Sequence, residues 1–246
     1  MDVVILAAAL APPESGVSWR AELEIQGERM VDRVVRAVAP FGPLVIVGGP
    51  SVEGAKFVDG GSKFVDSLRN GLAAASGDPI LIVTSDVPFL TTRSVEDFLD
   101  RCDPVADFCY PVVRAEACEG QFPGVRRTTL RTRDGEFTGG NIALVRRGFI
   151  ESSMARVEAA YEARKSPVRL ASILGWGLLA RILFAKMAPG TVTLGGLEKS
   201  VGRFLQASVR AVPTDFAEIG TDVDSFPQYL LVKDLKISPD STENTV

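Results

Sequence analysis

The sequence predicts an α/β fold built on a mostly parallel sheet with helices on both faces. Short β-branched apolar runs recur at Val3–Leu6, Leu44–Val47 and Ile80–Thr84. Segments with helical spacing alternate with them, at Arg29–Val38 and Phe64–Ala75. The runs are apolar throughout, as strands buried on both faces require, rather than apolar at every second residue.

Each element follows in order. Val3–Leu6 is a buried strand, and a loop rich in Ala, Pro, Gly and Ser covers 7–19. Arg29–Val38 puts Met30, Val34, Val35 and Val38 on one side of a helix. Gly48, Gly49 and Pro50 stop the strand Leu44–Val47. The loop DGGS at 59–62 leads into the helix Phe64–Ala75, and Ser94–Leu99 begins another after the strand Ile80–Thr84. Asp107–Val113 reads as a strand. Residues 114–136 read as loop-rich, carrying Arg126, Arg127, Arg131 and Arg133. Asn141–Val145 is a further apolar run, and Gly139–Gly140 before it reads as a tight turn between strands. Glu151 to about Gln206 is mostly helical, giving a helical insertion over about 150–208, and Val209–Val212 is a last strand. Residues 1–236 are expected to form one domain, and the polar tail 237–246 to be disordered.

Composition narrows the chemistry. The 246 residues are 46% apolar and 24% charged, with a net charge of −4 that offers no basis for nucleic-acid or anionic-membrane binding. Cys102, Cys109 and Cys118 show no CxxC spacing and read as free thiols, and the first residues lack the basic start of a signal peptide. A cytoplasmic protein is the expectation. The stretch LASILGWGLLARILFAKMA, 170–188, is interrupted by Arg181 and Lys186, so a membrane span is not expected. A buried or subunit-packed helix is the reading there, with a peripheral membrane contact through Trp176 and Phe184 as the weaker alternative. There is no histidine. That removes Ser–His and Cys–His nucleophile pairs, imidazole bases and His-containing zinc sites. Carboxylates, Lys, Arg, backbone amides and an oxygen-liganded metal remain, which favours phosphoryl or nucleotidyl transfer.

One carboxylate stands out. In LIVTSDVPFLT, residues 81–91, Asp86 follows a strand and is closed over by Val87, Pro88, Phe89 and Leu90. Ionised carboxylates are rarely buried unless paired or metal-bound. In parallel sheets, ligands bind beyond the carboxyl ends of the strands, where Asp86 lies. The alternative is a turn or helix cap.

Five motifs in order, VILAAAL, RAELEIQGERMVDRVVRAV, TSDVPFLT, DGEFTGGNIALV and EIGTDVDSFPQYL, resemble the nucleotidyltransferases related to the molybdenum-cofactor guanylyltransferase, in a bacterial MobA-like branch. The resemblance runs over residues 1–235. It implies a GT-A-type, Rossmann-like three-layer fold. It also implies an enzyme in which a small, usually phosphorylated acceptor attacks the α-phosphorus of a nucleoside triphosphate, with Mg²⁺ as cofactor. Asp86 matches the family's metal-binding aspartate. Asp224 matches the second metal position, with Asp222 as its partner. Arg20 stands where a charge-neutralising lysine is usual, and so is assigned a catalytic role with Asp86. Leu6, Ala7, Ala8 and Ala9 occupy the nucleotide loop, and Gly60, Gly61 and Ser62 the approach to the base. Gly139, Gly140 and Asn141 occupy the acceptor-side turn.

The chain also departs from the pattern. Ala7–Ala9 replace a glycine-rich loop, and added Cβ atoms are expected to obstruct phosphate contact. Arg20 replaces lysine beside Glu22, and pairing with Glu22 or Glu24 is its plainer reading. The usual proline after the last aspartate is displaced to Pro227. Asp222 and Asp224 read alternatively as a solvated turn. Arg126, Arg127, Arg131 and Arg133 read either as a solvated basic loop or as a docking site for an anionic acceptor. Two other functions stay open: a GT-A-like glycosyltransferase binding a nucleotide sugar, and a non-catalytic relative that binds nucleotide or a partner protein. The sequence leaves the base, the acceptor and the oligomeric state open.

Overall fold

In the computed structural model, which describes residues 1–163 and 192–235, the sheet is built around β1 (Asp2–Leu6). β4 (Leu44–Val47) and β6 (Ile80–Thr84) flank it, both parallel, and β5 (Lys56–Val58) extends the β4 edge. Beyond β6 come β10 (Ile142–Val145), β7 (Phe108–Arg114), β9 (Gly135–Gly139) and β8 (Leu130–Thr132). β11 (Val209–Thr214) lies parallel to β7. β10 is antiparallel to both β6 and β7, and β9 to both β7 and β8. The other strands share one direction, so the mostly parallel sheet holds. β2 (Glu24–Ile25) and β3 (Glu28–Arg29) form a separate hairpin.

Alternation along β1 sorts the core into two layers. Val3 and Ile5 face α1 (Met30–Val38) and α3 (Thr92–Arg101), joining Met30, Val34, Val95 and Phe98. Val4 and Leu6 face α2 (Phe64–Ala74), α5 (Arg147–Ala163) and α6 (Leu194–Leu205), joining Leu68, Leu72, Phe149 and Leu205. The result is the three-layer arrangement expected. α3 begins before Ser94 because Thr91 and Ser94 cap each other: Thr91 Oγ1 accepts from the Ser94 N–H at 3.1 Å and Ser94 Oγ from the Thr91 N–H at 3.2 Å.

Two expectations need correction. Residues 114–136 are not simply loop. They contain α4 (Ala115–Gln121) as well as β8, but α4 buries only Cys118, so no apolar period announced it. Gly139–Gly140 is not a tight turn either. β9 and β10 are two halves of one line along β7, opposite Val112–Arg114 and Phe108–Cys109 respectively. The break lies opposite Pro111, which accepts from the Gly140 N–H at 3.0 Å but has no N–H to return. Gly140 fits there because a Cβ would lie 2.7 Å from both Ile219 Cγ2 and Pro111 Cγ.

Pro227 falls in the first turn of α7 (Phe226–Val232), where a missing N–H costs nothing. Among the described residues no helix is long and apolar enough to cross a membrane. The stretch 170–188 and the tail 237–246 lie outside the described residues.

Candidate active site

Several segments meet beyond the carboxyl ends of β1 and β6, around a cleft of about 770 Å³. β1 delivers Leu6, Ala8 and Ala9, β6 delivers Thr84, Ser85 and Asp86, and the break between β9 and β10 delivers Asn141. The short 3-10 turn Arg20–Glu22 supplies Arg20. The 3-10 turn Ala217–Gly220 leads into Asp222 and Asp224. Backbone bonds tie these pieces together. Ser85 N–H donates to Leu6 O at 3.1 Å, Thr84 N–H to Asn141 O at 3.1 Å, Asn141 N–H to Ile219 O at 2.9 Å and Val223 N–H to Asp86 O at 2.9 Å.

Oxygens of Asp86, Asp222 and Asp224 lie within 4.8 Å of one another, although 138 positions separate Asp86 from Asp224. Arg20 joins two of them: its Nη1 donates to Asp86 Oδ2 at 2.9 Å and Asp224 Oδ1 at 2.6 Å. Its pairing is thus across the cleft, not with Glu22 or Glu24. Glu22 instead accepts the backbone N–H groups of Ser18 and Trp19. Asp86 Oδ1 is buried, with no hydrogen-bond partner among the described residues. An orphaned buried acceptor beside two further carboxylates is a donor set that suits a hard, oxygen-liganded divalent cation such as Mg²⁺.

Burial, a hydrogen bond with Asp224 and the charges of Asp224 and Asp86 push Asp222 up to about 7. The folded state therefore binds a proton that the unfolded chain, with its ordinary carboxylate near 3.8, releases. This contribution to stability is complete below about pH 4 and is lost as pH rises through about 7. Urea midpoints measured without divalent cation should accordingly fall between pH 4 and 8 more steeply in wild type than in Asp222→Asn. Equal slopes would show that Asp222 does not hold the proton.

Residues 3–175 match the MobA-like NTP transferase domain. The chain belongs to that family. It is also similar to a hypothetical transferase from Thermus thermophilus, at 30% identity over 92% of this chain and 98% of that one, with a TM-score of 0.84. Two more distant likenesses bear on the fold. One is a 2-C-methyl-D-erythritol 4-phosphate cytidylyltransferase, also from Thermus thermophilus, at 13% identity, TM-score 0.52, over 94% of this chain and 96% of that one. The other is a CMP:2-keto-3-deoxy-manno-octonic acid synthetase solved with CTP, at 17% identity, TM-score 0.58, over 94% and 95%. No curated protein matches.

In this MobA-like chain the alanine loop packs against glycines of neighbouring segments. A Cβ placed on Gly48 or Gly60 would come within 2.6 or 2.8 Å of the Ala8 methyl, and one on Gly49 within 2.9 Å of the Ala7 methyl. The glycines sit opposite the loop rather than in it, and these two methyls fill the room they leave. Ala7 is fully buried and does not line the cleft, and Gly60 does not line it either. Gly61 and Ser62 do, with the Gly61 N–H bonded to Ser67 Oγ at 2.9 Å. Of the loop alanines, Ala8 and Ala9 reach the cleft.

The acceptor-side arginines are not brought to it. Arg127 is spent on the protein itself, donating to Thr221 Oγ1 at 2.7 Å, Val125 O at 3.0 Å and Gly220 O at 3.4 Å. Arg131 pairs with Glu136 at 2.9 Å. Arg126 lines a separate cavity, where Arg114 and Arg127 face Glu116, Glu119 and Glu136. Of Gly139, Gly140 and Asn141, only Asn141 lines the cleft; Gly140 O accepts from the Tyr110 hydroxyl at 2.6 Å. Sequence reasoning did not single out Lys63, Phe64, Ser67, Thr84 or Tyr161, which also line it. For Lys63 and Phe64 the signal was available: they directly follow the DGGS loop at a helix start.

Proposed function

We propose that this protein is a Mg²⁺-dependent nucleotidyltransferase. It joins a nucleoside monophosphate, taken from a nucleoside triphosphate, to a small anionic acceptor. The observation that carries this is the cluster of Asp86, Asp222 and Asp224 beyond the parallel strands, with Arg20 reaching into it. An acceptor oxygen forms a bond to the α-phosphorus, the bond from that phosphorus to the bridging β-oxygen breaks, and pyrophosphate leaves with the electron pair. Asp86 and Asp224, with Asp222 beside them, would hold the metal. When bound, it supplies charge neutralisation and orientation for the phosphates. Arg20 turns from its carboxylates to the triphosphate, where its guanidinium neutralises charge developing on the leaving group. The amides near Ala8 and Ala9 approach the phosphates from the β1 side.

Thermal shift against nucleoside triphosphates, nucleotide sugars and pyrophosphate, each with and without Mg²⁺, tests this. The expected result is stabilisation by a triphosphate that depends on Mg²⁺, following RT ln(1 + [L]/Kd). Stabilisation by nucleotide sugars alone would replace this reading with the glycosyltransferase one. Nucleotide binding without transfer to any phosphorylated acceptor would favour a non-catalytic relative.

A further inference from the structure

The cleft that holds the carboxylates also holds two aromatic rings. Phe64 opens α2 and Tyr161 lies near the end of α5, and their rings stack with centroids 4.6 Å apart and planes 16° apart. Among the described residues that line the cleft, these two are the aromatic ones. Phe64 is 38% exposed, so the pair presents apolar surface to the opening rather than hiding it in the core. The two helices that carry the rings are clasped beside them. Lys63 pairs with Glu162 at 3.1 Å and Arg69 with Glu158 at 3.1 Å.

We propose that Phe64 and Tyr161 form the nucleobase platform of this cleft. The base of a bound nucleotide lies against the stacked pair while its phosphates point to Arg20 and the carboxylates. This rests on the reading of the cleft as a nucleotide site. A nucleotide has one flat π-rich end and one highly charged end, and the cleft supplies both environments. Lys63, next to Phe64 in sequence, is paired with Glu162. Stacking on aromatic side chains is favourable for every base, because each has a π-face. A platform whose rings already stack on each other needs little ordering when the base arrives. The pair therefore confers preference for a nucleotide over a bare polyphosphate, without choosing among bases.

The test compares a nucleoside triphosphate with inorganic tripolyphosphate, both with Mg²⁺, by calorimetry on wild type, Phe64→Ala, Phe64→Leu and Tyr161→Ala. Wild type should bind the nucleotide more tightly than tripolyphosphate. Phe64→Ala and Phe64→Leu should lose roughly tenfold in nucleotide affinity, the scale of one lost base–aromatic stack. Tyr161→Ala, which removes the ring backing Phe64, should lose less, and none should lose tripolyphosphate affinity. Phe64→Leu keeps apolar bulk and so secures the comparison if the alanine variants fail to fold. Unchanged nucleotide affinity in the folded variants would overturn the platform alone. Equal losses for both ligands would also overturn it, by showing that the rings only hold α2 to α5. Binding of neither ligand by wild type would overturn both the platform and the nucleotide reading on which it rests.

Discussion

Replacing Asp86 with Asn is expected to abolish Mg²⁺-dependent stabilisation by nucleotide while leaving the fold intact. The substitution barely changes volume, and the backbone carbonyl that accepts from the Val223 N–H remains. What goes is the charge and one hard oxygen ligand at the buried end of the cluster. For a ligand present at a hundred times its Kd, wild type gains about 2.7 kcal/mol from binding, and the variant should gain almost none. Circular dichroism and the ligand-free melting temperature check that the variant is folded. If Mg²⁺-linked stabilisation survives at the wild-type size, Asp86 serves only to pair Arg20.

Arg20→Ala should produce a two-signed effect. Arg20 bridges Asp86 and Asp224, with side-chain exposures of 19% for Arg20, 14% for Asp86 and 58% for Asp224. Without it, three clustered carboxylates face one another and lose the cation that pairs with two of them. Removing one partner of a buried ion pair costs ~3–5 kcal/mol, and the exposed position of Asp224 lowers that to roughly 2–3 kcal/mol here. Mg²⁺ should restore much of the loss, because the cluster then binds the divalent ion without first displacing a guanidinium. Urea denaturation with and without Mg²⁺ measures both quantities. A variant as stable as wild type without Mg²⁺, or one that Mg²⁺ stabilises less than wild type, would rule out Arg20 as the cluster's resident counter-ion.

The strands at the centre of the sheet were legible because burial on both faces leaves an unmistakable apolar run, as in Leu44–Val47 and Ile80–Thr84. Asp86 was legible for the converse reason, a charge set in a run with no use for one. The meeting of Asp86 with Asp224 was not readable from spacing at all and came only through the resemblance. The direction of β10 was hidden, since an apolar strand looks the same whichever way it runs. The arginines of the 126–133 loop misled because composition records charge and not its engagement. Arg127 meets Thr221 and Gly220, about ninety positions away, and no local pattern could announce that. Tyr161 was invisible as a cleft residue because its place depends on how α5 docks against α2.

The backbone bonds of Asn141 have a mechanical consequence. Its peptide links the end of β6, which carries Asp86, to the 3-10 turn that leads to Asp222 and Asp224. Val223 closes the same circuit on Asp86, and Leu6 anchors it to the central strand through Ser85. The carboxylates therefore do not ride on an independent loop with its own melting equilibrium. Separating them means breaking the Val223–Asp86 and Asn141–Ile219 bonds, so opening of the acidic end is coupled to the strand ends that hold those bonds. The acidic end of the cleft is a stationary jaw, and adjustment to a ligand falls to side chains such as Arg20 rather than to the chain beneath them.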